Sequence, residues 1–339
     1  MYKVTLSMPI YNVAPYVERA LLSALNQTFE SIEFLLVDDR GTDNSMDIVR
    51  QTIKDHPRGK DVKIIEHPHN IGTGATKNTA IDNAQGEYLY FMDSDDEITP
   101  DCIQVLYDRM MEEKVDMIVG SSQSINMNGM VSEHLQLENI SRRGVGILMN
   151  YHYLENHLFP VFTWNKLYSL SFLKKNCIRC IPGHHCEDLY FSFNVERYVQ
   201  SFSYINKVTY LYYIRPNSFM DRIQSHISKR EVAMLMDFIL YKKSYIREIK
   251  DIDFQDILLH SIYRSIRVWG EYILSSDKMN INEKYRGIVG FYSDMKFNKY
   301  TTNNRIEKIS IGLYFIHRLS DMLLFTVLIM MVCMKKIIR

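Results

Sequence analysis

A group of acidic residues follows a run of aromatic and aliphatic residues in the segment GEYLYFMDSDDE. The apolar run predicts a buried strand, and Asp93, Asp95 and Asp96 come directly after it. Like charges this close repel one another and resist burial, so the group needs either water or a cation nearby. On an extended segment, Asp93 and Asp95 project to the same side and offer two hard oxygen ligands to a divalent cation. Such a cation would bind a diphosphate and stabilise the charge on a departing phosphate.

Two other segments carry groups suited to a nucleotide. In LLVDDRGTDNS, a carboxylate such as that of Asp39 can accept a hydrogen bond from the ring N–H of uracil. In HNIGTGATKN, Gly72 and Gly74 precede a helix whose free amides attract anions, and Lys77 adds a positive charge one turn later. The second segment matches neither G-x-G-x-x-G nor the P-loop pattern. Taken singly, each segment favours an ordinary structural role, such as a helix cap or a polar turn.

The elements that must position these groups alternate regularly over the first 120 residues. Apolar strand-like runs alternate with helical patterns, which is typical of a parallel sheet with helices on its faces. Ligands of such sheets bind at the carboxyl ends of the strands, and each segment above follows a predicted strand. Residues 121–150 are predicted to be irregular, and residues 228–275 mostly helical. The strands are predicted in KVTLSMPI, IEFLLVDD, VKIIEH, EYLYFMD and VDMIVGSS.

The order and spacing of the segments are far more specific than any one of them. PIYN, VDD, N-x-G followed by KN, and GEYLYFMDSDD resemble the nucleotide-sugar-binding half of the family-2 glycosyltransferases, which have the GT-A fold. Further along, WNKLYSLSFL, CEDLYFSF and YLYYIRPNS resemble the acceptor-side motifs of that family. The resemblance implies an α/β fold with a Rossmann-like, mixed and mostly parallel sheet flanked by helices. We expect a GT-A domain over residues 1–225, with 1–120 binding the nucleotide sugar and 121–225 facing the acceptor, and a mostly helical region over residues 226–339.

The resemblance also implies roles on the donor side. Asp39 would contact the base of a nucleotide-sugar donor, expected to be UDP-linked. Asp93 would contact the ribose or the metal, and Asp95 would bind the metal, Mn²⁺ or Mg²⁺. The other implied donor contacts are Pro9, Tyr11, Asn70, Lys77 and Ser94.

The chain departs from the family pattern at three positions. Lys77 stands where the family usually has arginine, so the charge is kept but the bidentate geometry of a guanidinium is lost. Arg40 and Gly41 replace a glycine and a serine of the usual loop, so we expect the backbone of that loop to differ.

Inverting transfer needs a base that takes the proton of the acceptor hydroxyl as it attacks. Glu187 and Asp188 match the family's ED motif, which makes Asp188 the predicted base and Glu187 a neighbour that tunes the pKa of that base.

Trp164 is predicted either to face a sugar ring or to belong to the core. Arg215 is predicted either to approach the diphosphate or to pair with an acid. The implied activity is metal-dependent transfer to a glycan or lipid-linked acceptor in polysaccharide biosynthesis.

Three alternatives stay open at this point. A zinc site is one, because CIRCIPGHHC supplies Cys177, Cys180, His184, His185 and Cys186, although without the paired spacing of a zinc knuckle. A sugar-1-phosphate nucleotidyltransferase is another, but it would carry a glycine-rich basic loop that SMPIYNVAPY lacks. The third is a non-catalytic carbohydrate-binding or scaffolding protein of the same fold, whose donor motifs would have decayed.

The composition limits the partners and the location. Lys and Arg number 40, as do Asp and Glu, so no overall field favours nucleic acid. Five cysteines and an amino terminus without a signal-peptide pattern favour the cytoplasm. Residues 322–334 are uncharged but fewer than the roughly 20 needed to span a bilayer. Residues 320–339 are therefore predicted as a core or dimer helix, or as a peripheral contact with the inner face of the membrane.

Overall fold

The structure is a computed structural model that describes residues 2–126, 128–183, 186–215, 227–246 and 252–293. The chain divides into two compact units, Met1–Arg215 and Pro216–Arg339. The boundary predicted between residues 225 and 226 falls outside the described residues, so it stays a prediction.

The first unit is built on one ten-stranded sheet with the order β3-β2-β1-β4-β9-β6-β10-β5. Strand β7 pairs with β6, and β8 pairs with β10. Strands β1 to β4 run parallel, as do β6 and β10, whereas β9 runs antiparallel to both β4 and β6. The strands are β1 Val4–Ile10, β2 Ile32–Asp38, β3 Val62–Glu66, β4 Tyr88–Phe91, β5 Glu97–Ile98, β6 Met117–Ile125, β7 Val131–Leu135, β8 Ile140–Arg143, β9 Lys166–Ser169 and β10 Ser201–Tyr213.

Helices cover both faces of this sheet, and the central strands are accordingly apolar on both sides. Every residue of β2 is buried, with Phe34 and Leu36 in one core cluster and Leu35 in the other. The predicted α/β fold with a mixed, mostly parallel sheet is thereby confirmed. The helices of this unit are α1 Val17–Leu25, α2 Ser45–Asp55, α3 Thr73–Asn83, α4 Cys102–Glu113, α5 Ile147–Met149, α6 Leu170–Lys175 and α7 Glu187–Tyr198.

The parallel strands bring their carboxyl ends to one edge of the sheet. Ser7 of β1 pairs with both Leu35 of β2 and Phe91 of β4, and Asp38 of β2 pairs with Glu66 of β3. The loops after β1, β2, β3 and β4 therefore emerge side by side. These loops carry the segments in which the donor and metal contacts were predicted.

The prediction of an irregular stretch over residues 121–150 was wrong. Strand β6 continues to Ile125, and β7, β8 and α5 follow, with a π-helix over Asn150–Leu154. Strand β7 is exposed on nearly every residue, so its sequence lacks the alternation that marks a half-buried strand. Its backbone pairing with β6 keeps it in the sheet, which sequence periodicity does not reveal.

The described residues of the second unit are mostly helical, as predicted for residues 228–275. The helices are α8 Lys229–Ile246, α9 Ile252–Ser275 and α10 Ile281–Ser293. None of the helices within the described ranges combines the length and the apolar character that crossing a bilayer requires. The apolar segment at residues 320–339 lies outside the described residues, and its predicted membrane or core contact stays a prediction.

Candidate active site

Three carboxylates meet just after β4. Single oxygen atoms of Asp93, Asp95 and Asp96 all lie within 4.8 Å of one another. Asp96 is anchored to β10, because it accepts from the Tyr210 hydroxyl at 2.9 Å and from the Tyr213 amide at 2.8 Å. Burial and the nearby Asp93 raise the pKa of the Asp96 carboxyl to about 8. Sequence reasoning assigned no role in metal binding to Asp96, whose position next to Asp95 was the only signal.

The carboxylates of Asp93 and Asp95 each lie near a cation of this chain. Burial raises the pKa of Asp93, and the positive charge of Lys77 offsets this only in part. Asp95 forms an ion pair with Arg215, whose guanidinium also lies 4.9 Å from the centre of the Tyr16 ring. Of the two predictions for Arg215, pairing with an acid is therefore the one seen here. The three carboxylates suit a divalent ion. Their oxygens are hard ligands, and burying them without a cation is costly.

Asp39 organises the loop that leads into α3. Its carboxylate accepts from the amides of Ile71 and Gly72 at 2.9 Å each, and its Oδ1 lies 2.8 Å from Nδ1 of His67. The side chain is buried, and Gly72 adopts a φ of 90°, which favours glycine. Contact between Asp39 and a uracil ring stays a prediction, and the structure adds a second role in loop closure.

The other predicted donor contacts line the same edge with different exposure. Tyr11 at the end of β1 is 45% exposed, and Asn70 is exposed in the loop after β3. Pro9 is half-buried within β1, whereas Ser94 is buried between the acids. A shallow pocket of about 150 Å³ opens beside Tyr11. These four assignments stay predictions.

The loop after β2 has an unusual backbone conformation at Arg40, and its expected difference from the family's loop stays a prediction. Arg40 adopts a φ of 57°, a conformation that costs a non-glycine residue about 1–2 kcal/mol. Its amide donates to Asp38 Oδ1 at 2.8 Å and its guanidinium pairs with Glu66 at 2.9 Å, and both contacts offset that cost. At the next position, a Cβ on Gly41 would lie 2.8 Å from the Asn12 amide nitrogen. Glycine at position 41 is thus required by the close approach of the β1 end.

Lys77 and the ED pair come together although they are far apart in the sequence. The Lys77 ammonium donates to Asp188 Oδ1 at 2.6 Å and to Glu187 Oε1 at 3.3 Å. Burial alone would lower the pKa of Lys77, but the combined attraction of Asp188, Glu187 and Asp93 raises it well above its usual value. Burial raises the pKa of Glu187 to about 7. Sequence reasoning placed Lys77 on the donor and did not foresee this pairing.

Trp164 lies inside an aromatic stack. Its ring is parallel to that of Phe162 at 3.4 Å between centroids and nearly parallel to that of Tyr210 at 4.2 Å. The residue is 8% exposed, so little of its ring is available to a sugar. This arrangement agrees with the second of the two predictions, a core role.

The two residues after Trp164 are structural groups that the sequence analysis missed. Asn165 has a φ of 55° and is fully buried; its side chain donates to the Gly120 carbonyl at 2.7 Å and accepts from Thr209 at 2.7 Å. Lys166 is also fully buried, and its ammonium donates to the Phe162 carbonyl. Burial lowers the pKa of Lys166 to about 7. Polar residues in the otherwise apolar run WNKLY were the available signal.

The zinc alternative gains no support from the part of the chain that the structure describes. Cys180 and Cys186 are buried and Cys177 is exposed. Among the described residues, the only group of three or more potential metal ligands is the one formed by Asp93, Asp95 and Asp96. His184 and His185 lie outside the described residues.

Comparison with known proteins identifies relatives over most of the chain. The model of the glycosyl transferase family 2 matches residues 5–176. Glycosyltransferase GlyA of Streptococcus pneumoniae is 32% identical over 222 residues, which are 64% of this chain and 31% of GlyA. Putative glycosyltransferase EpsH of Bacillus subtilis is 28% identical over 87% of this chain and 85% of its own length. A poly(ribitol-phosphate) beta-glucosyltransferase of Bacillus spizizenii is 30% identical over 63% of this chain, but the match spans only 32% of that enzyme.

Solved structures share the fold at lower sequence identity. The 1–349 fragment of Staphylococcus aureus TarS, solved with UDP-GlcNAc, has a TM-score of 0.56 and 21% identity over 94% of this chain and 76% of the TarS chain. Mannosyltransferase PcManGT of Pyrobaculum calidifontis, solved with GDP-Man and Mn²⁺, has a TM-score of 0.52 and 13% identity over 99% of this chain and 88% of its own. The family model matches just over half of the chain, so the chain belongs to the glycosyl transferase family 2. The similarity to the TarS structure shows that it has the GT-A fold of that family.

Proposed function

We propose that the protein is an inverting, metal-dependent glycosyltransferase that moves a sugar from a UDP-linked donor to a hydroxyl of a glycan or lipid-linked acceptor. The observation that carries the proposal is that Lys77 contacts both carboxylates of the ED pair and also interacts electrostatically with Asp93 after β4. This proximity of Asp93 to the ED pair supports a single site that contains the predicted metal ligands and the predicted base.

The donor assignment draws on the residues of the sheet edge and on the relatives. A carboxylate at Asp39 suits the ring N–H of uracil, and TarS was solved with UDP-GlcNAc. Asp93 and Asp95 would hold Mn²⁺ or Mg²⁺, which supplies positive charge for the diphosphate leaving group. Pro9, Tyr11, Asn70 and Ser94 would complete the donor contacts.

The chain's own base would be Asp188. One carboxylate oxygen accepts a hydrogen bond from Lys77, and the side chain is 31% exposed, so the carboxylate is accessible to an acceptor hydroxyl. As the acceptor oxygen forms its bond to the anomeric carbon, the bond from that carbon to the diphosphate oxygen breaks. The acceptor proton passes to Asp188. Because the attack comes from the side opposite the leaving diphosphate, a donor with an α linkage gives a β-linked product.

The acceptor class draws on the names of the relatives. The beta-glucosyltransferase of Bacillus spizizenii acts on poly(ribitol-phosphate), a polymer rich in hydroxyl groups. A hydroxyl of a growing polysaccharide is therefore the acceptor that we propose, and polysaccharide biosynthesis is the proposed process.

UDP release from a panel of UDP-sugars with Mn²⁺ tests this function, with donor binding measured by calorimetry. Asp188→Asn should lower turnover by about 1,000-fold or more while leaving the donor affinity nearly unchanged, because only the proton acceptor is lost. Asp82→Asn is a matched control, since Asp82 on α3 pairs with Arg179 at the surface and should keep full turnover. Failure of the wild type to bind or turn over any nucleotide sugar would favour the non-catalytic alternative.

A further inference from the structure

The contacts of Lys77 differ from the donor contact that the family resemblance implies. The side chain is only 4% exposed, and its ammonium lies between the carboxylates of Glu187 and Asp188. Glu187 is the first residue of α7, so both carboxylates sit in the first turn of a helix, where negative charge is favoured. The cation of α3 and the acids of α7 thus form one buried ion cluster.

This pairing is imposed by close packing of α3 against the segment before α7. The side chain of Asn78, next to Lys77, donates to the Cys180 carbonyl at 2.8 Å and accepts from the Cys180 amide at 2.9 Å. A Cβ on Gly74 would lie 2.7 Å from the Ile181 carbonyl oxygen and 3.2 Å from Glu187 Cβ. Gly74 therefore permits the approach, and Asn78 fixes its register.

The amino-terminal end of the same helix is also held by the predicted donor pocket. Asp39 binds the amides of Ile71 and Gly72 at the start of α3, and His67 lies 2.9 Å from the Thr79 hydroxyl. One rigid element consequently joins the residue expected to contact the nucleotide base with the residue that holds the predicted catalytic base.

Other charged groups face Asp188 but do not replace Lys77. The electrostatic neighbours are Asp93 after β4, Glu187 on α7, Lys166 and Tyr168 on β9, and Cys180 before α7. Lys166 bonds to a backbone carbonyl instead of to Asp188. Among the described residues, Lys77 is the cation that makes direct contact with the Asp188 carboxylate.

We propose that Lys77 is the positioning residue of the reaction: its ammonium holds Asp188 Oδ1 and so directs Oδ2 at the acceptor hydroxyl. The proposal rests on the proposed function, because it takes Asp188 as the base. It differs from the family expectation in that Lys77 acts on the base and makes no essential contact with the donor phosphates.

The test compares Lys77→Met, Lys77→Arg and the surface control Lys207→Met, using donor affinity, kcat and KM. Lys77→Met should lower kcat by about 100-fold, because the base is no longer held in line with the acceptor hydroxyl, while the donor affinity and KM stay within about twofold. Lys77→Arg should restore part of kcat, and Lys207→Met should behave as wild type.

Loss of donor affinity by tenfold or more in Lys77→Met, with kcat unchanged, would overturn the proposal in favour of a phosphate contact. An unchanged kcat would overturn it as well. If Lys77→Met does not fold, Gly74→Ala serves instead, because its methyl group would separate α3 from the segment before α7 and should lower kcat alone. A crystal structure of the variant supplies a readout without turnover: an Asp188 side chain that keeps its wild-type orientation contradicts the proposal even where the wild type transfers sugar.

Discussion

Two buried lysines of the first unit, Lys77 and Lys166, differ in the direction of their pKa shifts. Both are almost fully buried, at 4% and 0% exposure. Lys77 contacts two carboxylates, and its pKa is raised well above the usual value. Lys166 contacts a carbonyl and lies 4.4 Å from the centre of the Phe162 ring, and burial lowers its pKa to about 7. Burial sets the cost of the charge, and the partners decide whether the charge is kept.

The difference predicts that Lys77→Met destabilises the first unit, whereas Lys166→Met stabilises it at pH 7. Lys77→Met should lower the free energy of unfolding of the first unit by about 3 kcal/mol, because two partly buried carboxylates lose their cation. Urea unfolding followed by Trp164 fluorescence in a Trp269→Phe background measures this unit alone. Lys207→Met, which breaks an exposed pair with Asp101, should change the value by less than about 0.5 kcal/mol. Equal changes in the free energy of unfolding on Lys77→Met and Lys166→Met would refute the distinction between these two lysines.

The pH dependence of stability should separate Lys166 from Lys77. The folded-state pKa of Lys166, about 7, lies below the usual value of 10.5, so between these values the unfolded state binds more protons. Stability conferred through this group therefore rises with pH, by about 2 kcal/mol between pH 7 and pH 9. Lys166→Met should lack that rise and should be more stable than wild type at pH 7. Parallel wild-type and variant curves over this range would show that Lys166 keeps its charge.

The smallest effect should come from removing one of the two partners of Lys77. Glu187→Gln leaves the ammonium its shorter contact, with Asp188 at 2.6 Å, so the cation remains paired. We expect a change of less than about 1 kcal/mol in the free energy of unfolding and a fall in kcat of only a few-fold. Urea unfolding and steady-state kinetics measure the two quantities. A loss as large as that of Lys77→Met would mean that Glu187, and not Asp188, is the principal partner.

The sequence predicted what depends on local pattern and missed what depends on distant packing. Strand ends, the order of motifs and the acids after β4 follow from periodicity and polarity, and the structure has them where they were expected. The partner of Lys77 lies 111 residues away, and no local signal indicates it. Asn165 and Lys166 were overlooked for a related reason: a polar residue in a buried strand is explained only by the neighbours that satisfy it.

Edge strands were the second weakness of sequence reasoning. Strand β7 is exposed on nearly every residue, and its sequence, VSEHL, lacks the alternation that would distinguish it from a loop. Its backbone hydrogen bonds to β6 define it as a strand, and these bonds do not require particular side chains.

The Tyr210 side chain contacts the acidic loop through its hydroxyl and the aromatic stack through its ring. Its hydroxyl donates to Asp96 and accepts from the Asp93 amide at 3.2 Å, while its ring stacks on Trp164. Phenylalanine would preserve the stack and lose both hydrogen bonds to the acidic loop, whereas a small hydroxyl residue would lose the stack and the hydrogen bonds together. Tyr210 therefore connects the acidic loop after β4 to the aromatic stack that precedes β9, so one side chain serves both the predicted metal site and the core.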